Sequence, residues 1–446
     1  MKQMAVLYMV LSGSVLLAKD ICITIYNQNA LVKDVRSMDL AKGESEVSFT
    51  DVASQIDPTS VHFKSLTAAE KVQILEQNYE YDLIGGSKIL AKYIDQEIRA
   101  ITEKGELFQG TLLSASNDIV IQDDQGGIQI LKADQIQHFD LPRLPEGLIT
   151  RPTLIWQIRN RGPEKHKAEI SYLTQGMGWH AEYVALVNEE DTRLDLSGWV
   201  SIDNHSGATY EDAQLKLVAG DVNIIHTRTL KSGERMRRLA VAEDAVPQFE
   251  EKSFFEYHLY TLQRTSTLKN NQTKQISLFP DARAKTEKKY LYNGSHYGEK
   301  IRVYLEFENS KSDGLGIPLP KGTVRVYKSD TDGALEFIGE DRIDHTSRDE
   351  TVRLFIGNAF DITGERTVME SRNITQRSRQ ESVKILLKNH KNGSVKITVT
   401  ESFSLDWKIT EASLSYRKKD AKTAEFDVQV PANGEATMTY TVLLNW

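Results

Sequence analysis

Sulfur is nearly missing from this chain: a single cysteine, Cys22, stands in 446 residues. A lone thiol cannot close an intrachain disulfide, which excludes a disulfide-stapled scaffold. Cys22 lies in the strand-like run ICITIY, where it is expected to be a small buried hydrophobe rather than a reactive thiol. Histidine is scattered: ten residues, with no HExxH or HxH spacing, so no sequence-local zinc site is legible. There is no GxSxG elbow and no P-loop, and the pairs Ser266–Lys269 and Ser415–Lys418 match S-x-x-K only as a lysine-rich chain does by chance. Positive charge is in deficit as well. The net charge of −8 argues against nucleic acid or an anionic membrane as partner. After residue 18 no stretch is apolar enough to cross a bilayer, and no long helical period occurs.

What is present begins with a leader. Residues 1–18, MKQMAVLYMVLSGSVLLA, place one cation, Lys2, before an apolar run that ends at Ala18. This is the layout of a secretory signal peptide, too short for a membrane span, with cleavage expected after Ala18. It predicts a periplasmic or secreted protein whose mature chain carries no transmembrane segment. Asp20 and Ile21 stand where a lipoprotein cleavage box needs small residues.

The rest reads as pleated sheet. At 446 residues the chain exceeds one ordinary core, and its 40% hydrophobic and 26% charged content is that of a folded protein. Short alternating runs separated by turn pairs such as Lys42-Gly43 and Asp57-Pro58 recur along the whole length. The predicted class is all-β: several β-sandwich-like domains with an inserted small barrel of the Sm-like or SH3-like kind. The expected boundaries are an N-terminal β domain over 19–84, the small barrel over 85–142, a first sandwich over 150–227, a charged loop over 228–252 and a further sandwich region over 253–446. The barrel is read from GSKILAKYI, which has apolar residues at 89, 90, 93 and 94, followed by five short strands with Gly110 at the bend of the second. Residues 96–141 carry eight acidic and three basic side chains, a balance that opposes RNA binding.

The most regular alternation spans 171–223 and holds two of the five tryptophans, Trp179 and Trp199. Period-two spacing puts Trp156, Tyr172, Tyr183 and Trp199 on buried faces. In WHAEY, Trp179, Ala181 and Tyr183 share one face, and His180 and Glu182 the other. With the aromatic face inward, His180 and Glu182 become candidates for a partner-binding surface. Asp203 and Asn204, in the turn-forming run Asp203-Asn204-His205-Ser206-Gly207, are further candidates. Arg235, Arg237 and Arg238, in the charged stretch, are the basic docking candidates, against the ordinary reading of a solvated loop. SDTDGALE (329–336) resembles a calcium loop faintly, but Lys328 stands where the first ligand belongs, so a hairpin turn is expected. No catalytic residue, metal or cofactor is assigned.

Several motifs together resemble one family: YLTQGMGWHAEY, GWVSIDNHSGATYEDAQLKLVAGDVN, FEYHLYTL with NNQTKQISLF, PLPKGTVRVYKSD and LEFIGEDRIDH. They are similar to the uncharacterised bacterial domain-of-unknown-function family of exported β-rich proteins, which includes the mucoidy-inhibitor (MuiA-like) proteins. The resemblance covers about residues 150–446 and implies an exported β protein, with no activity or catalytic residue attached. Mucoidy-inhibitor-like members usually carry a coiled coil near the N-terminus, where this chain has the small barrel. The function expected is a non-catalytic envelope binding or scaffold protein, its partner another envelope protein or a cell-surface polymer. An envelope hydrolase acting on polysaccharide or peptide, and a carbohydrate-binding module array, are the alternatives.

Overall fold

Strand β1 (Asp20–Ile25) shows how the chain builds its sheets: Ile21, Ile23 and Ile25 face the core, and the residues between them face away. Cys22 falls on that second face, half-buried rather than in the core, because the isoleucines take the inner positions. The computed structural model describes residues 20–81, 86–116, 118–141, 149–220, 222, 248–330 and 333–446. The leader, and Arg235, Arg237 and Arg238, lie outside the described residues. The chain divides into two units: the first comprises residues up to 178 with 203–216 and 264–273, the second 179–202, 217–263 and 274–446.

In the first unit β1 pairs antiparallel with β2 (Asn29–Asp39), β2 with β12 (Lys165–Gln175), and β12 with β4 (His62–Ser65). A second sheet sets β11 (Thr153–Asn160) between β3 (Gly43–Thr50) and β5 (Val72–Glu80). Trp156 of β11 is fully buried where the two sheets meet, its ring 5.4 Å from Phe63 and 5.8 Å from Phe49. Its indole N–H donates to Gln77 Oε1 at 2.9 Å, so burying the ring leaves no polar atom unpaired.

The helix-and-five-strand module is present. Helix α1 (Gly86–Lys92) precedes β6 (Glu97–Thr102), β7 (Leu107–Ser114), β8 (Asp118–Gln122), β9 (Ile128–Lys132) and β10 (Ile136–Asp140), in sheet order β10-β6-β7-β8-β9. Gly110 permits the close approach of β7 to β8, since a Cβ there would sit 2.1 Å from the Gln122 carbonyl oxygen. Among the described residues β9 and β10 do not pair, so this small sheet is open, not a closed barrel.

The second unit is organised by β13 (Met177–Val187), β14 (Arg193–Asn204) and β18 (Gln272–Tyr292), with β20 (Gly322–Ser329) and β21 (Leu335–Ile343) beyond β13. The pairing of β13 with β20 is parallel, Ala181 opposite Gly322 through Val187 opposite Lys328. At the run SDTDGALE, β20 pairs antiparallel with β21, Ser329 opposite Leu335, and the Gly333 N–H, at φ +83, donates to the Asp330 carbonyl, while Thr331 and Asp332 lie outside the described residues. Further along, β22 (Thr351–Thr375), β23 (Ser378–Asn389) and β28 (Gly434–Asn445) form one sheet, and β24 (Val395–Ser402) pairs with β27 (Thr423–Val430). Ile385, Ile397, Phe426 and Tyr440 fill the core of this part. Within it Glu401, 1% exposed, is clamped by Arg366 Nε at 3.2 and 3.1 Å to its two oxygens and by the Tyr440 hydroxyl at 2.5 Å.

Two expectations change here. The last residues of the stretch read as a charged loop, 249–252, are strand: β16 (Phe249–Phe254) pairs with β17 (Tyr257–Leu268), its alternation masked by Glu250, Glu251 and Lys252. Trp156, Tyr172 and Tyr183 are buried as expected, but Trp199 is only half-buried and faces away from the core. Gly198 takes the inner position between Leu196 and Val200 because the Phe279 ring fills the space above it, and a Cβ there would meet Phe279 Cε1 at 2.3 Å. Gly198→Ala is therefore expected to cost about 1–3 kcal/mol by overpacking. Urea unfolding of the single variant and of Gly198→Ala with Phe279→Leu checks this. The second change should recover part of the loss, and additive losses would refute the contact.

Candidate functional site

The residues of β13 that face away from the core begin a polar surface on the second unit. Trp179, Ala181, Tyr183, Ala185 and Val187 point inward, 0–5% exposed, with the Trp179 N–H donating to the Val218 carbonyl and the Tyr183 hydroxyl to that of Pro320. The alternation that buries them turns His180, Glu182, Val184 and Leu186 to the other face. Parallel register sets Val184 beside Arg325 and Leu186 beside Tyr327. From β14 the same face receives Ser197, Trp199 and Ser201, and from β18 Gln275 and Asp281.

Glu182 is the hub. Its Oε2 accepts from the Ser201 hydroxyl at 3.1 Å and from Gln275 Nε2 at 3.0 Å, and Gln275 Nε2 also donates to Ser201 Oγ at 3.1 Å. Its Oε1 lies 3.7 Å from His180 Nε2 and 3.4 Å from Arg325 Nη1. Arg325 reaches in turn to Glu340 of β21 at 3.5 Å. Five neighbouring strands are thus laced by one row of side chains, each within a hydrogen bond or ion pair of the next. The neighbouring His180 ring, with Arg325 and the Ser201 hydroxyl, outweighs the cost of partial burial and holds Glu182 down at about 2, against the ordinary 4.5.

Beside this row, Arg283 Nε contacts Asp195 at 3.0 Å, and the Ser197 hydroxyl donates to Asp281 at 2.5 Å. Asp191, in the turn from β13 to β14, takes Lys288 and Lys328 together, at positions whose alternation is that of the inward residues Tyr290 and Val326. Burial opposes its ionisation, but the two ammonium groups hold its carboxyl below the usual range. On the same face as Ser197 stands Trp199. The indoles of Trp156, Trp179 and Trp407 each donate to an acceptor in the protein, at 2.9, 3.2 and 2.8 Å. The Trp199 N–H has no acceptor among the described residues, and its ring stacks on no other described ring.

The other sequence candidates lie elsewhere. Asp203, in the first unit, accepts from the Thr273 hydroxyl at 2.5 Å. Asn204 is 1% exposed and works as a clamp: its Nδ2 donates to the carbonyls of Ala208 and Lys269, at 2.9 and 3.1 Å, and its Oδ1 accepts from Ser206. Sequence reading missed Ser201, Gln275 and Arg325. Arg325 was accessible only as the outward member of the alternation in GTVRVYK, because nothing local reveals that β20 lies beside β13.

A shallow depression of about 30 Å³, open to solvent, is lined by Ala219, His258, Tyr260, Leu319, His345 and Ser347 among others. There His258 Nδ1 meets Glu251 Oε1 at 2.7 Å, an orientation that would turn Nε2 into a proton acceptor. The volume is below the ~300–1,000 Å³ usual for small-molecule sites, so the polar sheet face is the stronger candidate. Among the described residues no group of three or more His, Cys, Asp or Glu is placed to hold a metal ion, and no helix is long and apolar enough to cross a membrane.

A carboxylate held low adds stability that is complete above its unfolded value and is lost as pH falls toward its folded one. The Glu182 contribution should therefore disappear between pH 4.5 and about 2. Glu182→Gln, melted at pH 7, 4.5 and 3, is expected to start less stable and to fall less steeply than the parent. Parallel curves would show that Glu182 is not clamped.

The family model described as "Domain of unknown function (DUF4139)" matches residues 168–446, and that described as "N-terminal domain of unknown function (DUF4140)" matches residues 23–121. No curated protein matches the chain.

Proposed function

We propose that this chain, which belongs to the DUF4139 family of domains of unknown function, is an exported, non-catalytic binding or scaffold protein of the cell envelope. The observation that carries the reading is the row running from Glu340 through Arg325, Glu182 and Ser201 to Gln275. Hydrolysis by paired carboxylates needs one acid that holds a proton near working pH. His180 and Arg325 hold Glu182 in its ionised form, which suits a fixed array of donors and acceptors better than a proton donor. Rigid strands, rather than loops, hold the array in place, which lowers the ordering cost of recognition. Export is supported by the leader layout of residues 1–18 and by the lone cysteine.

Two measurements test the reading together. Mass spectrometry of the native protein from the periplasmic or secreted fraction is expected to find a mature N-terminus at Lys19. A photo-crosslinking amino acid in place of Ser197, on the sheet face, is expected to capture an envelope component in living cells. An intact leader on a cytosolic protein, with no adduct at Ser197, would defeat the proposal.

A further inference from the structure

We infer that the face centred on Trp199 binds an uncharged cell-surface polysaccharide built of pyranose rings, one ring stacking on the indole. This rests on the binding reading above and names its ligand. Three features point to it. The first is the indole, which is half-buried on the sheet face, stacks on no described ring and has an N–H with no acceptor among the described residues. The buried tryptophans Trp156, Trp179 and Trp407 each take such a partner. The second is the flank: the Ser197 hydroxyl, the exposed Gln275 amide and the Glu182 carboxylate lie on the same face of neighbouring strands, with the Ser201 hydroxyl, 2% exposed, bonded beneath them. A sugar ring offers an apolar C–H face to an aromatic plane and, at its rim, hydroxyls that both donate and accept. An indole bordered by a carboxylate, an amide and hydroxyls matches both.

The third feature is charge. On this face Glu182 is matched by Arg325 and Asp195 by Arg283, while Asp281 takes the Ser197 hydroxyl. A face whose cations are already bound to carboxylates offers no net attraction to a uronate or phosphate polymer. An anionic chain would have to pull Arg325 from a bonded carboxylate. A neutral chain leaves those pairs intact and needs only the hydroxyl and amide positions. The binding strands are also the central ones, so the platform is positioned by the core beneath it through Trp179 and Tyr183.

The test is affinity electrophoresis of the full mature chain in gels containing hydroxyethylcellulose, galactomannan or dextran, with alginate as the anionic control. The protein labelled with 5-fluorotryptophan is titrated in parallel and followed by fluorine NMR. At least one neutral polymer is expected to retard the protein and to shift the resonance assigned to Trp199. Trp199→Ala should weaken retardation at least about tenfold and Gln275→Ala severalfold, each with a melting temperature measured to confirm folding. Trp199→Phe, which keeps a smaller ring, should retain part of the binding. Retardation by alginate alone, by no neutral polymer, or equally by Trp199→Ala and the parent would overturn the inference. A crosslink from Ser197 to an envelope protein, with every neutral polymer inert, would overturn the glycan assignment and leave the binding reading standing.

Discussion

The parallel pairing of β13 with β20 is the constraint on which the second unit depends. It sets Arg325 within reach of Glu182 and pairs the edge of β13 from Ala181 to Val187. Gly322 makes the approach possible, since a Cβ there would lie 2.3 Å from the Ala181 carbonyl oxygen. Ala181 is thus confined on both sides: its side chain belongs to the core and its carbonyl to the neighbouring strand. The polar face follows from the apolar one, because period two leaves residues 180, 182, 184 and 186 no other direction.

Without disulfides, the chain relies on burial and on polar groups that close on each other. Trp156 in the first unit and Tyr440 in the second are both large, buried rings carrying a bonded polar atom. The Arg366–Glu401–Tyr440 cluster shows the same economy in ionic form, with one carboxylate satisfied by a guanidinium and a phenol. Removing Arg366 would strand the buried Glu401 carboxylate, which makes the pair costly to break from one side.

Strand identity was legible wherever one face is apolar. DICITI, TLIWQIRN and MGWHAEYVALV each declare their alternation, and the structure follows it residue by residue. The helix-and-five-strand order of the small module was legible for the same reason, though not whether its sheet would close. Trp199 was placed on the wrong face because a bulky ring outranks glycine in any burial argument, and only the distant Phe279 explains why Gly198 turns inward. The face that gathers His180 and Glu182 was half visible: its own strand could be read, but Arg325 and Gln275 enter through pairings with partners many residues away. Such register is a tertiary fact, and β16 shows the converse, a strand hidden by its charges.

Parallel strands so far apart along the chain also govern how this protein comes into being. Ala181 meets Gly322 across 141 positions (322 minus 181). Loop closure of that size makes late assembly the rule. Until β20 arrives, β13 presents one bare edge of amides above an aromatic row, a template for wrong partners in a crowded compartment. Of residues 180, 182, 184 and 186 on that strand's outer face only His180 and Glu182 are polar, so Val184 and Leu186 leave the half-made sheet unguarded until its last neighbour has been synthesised.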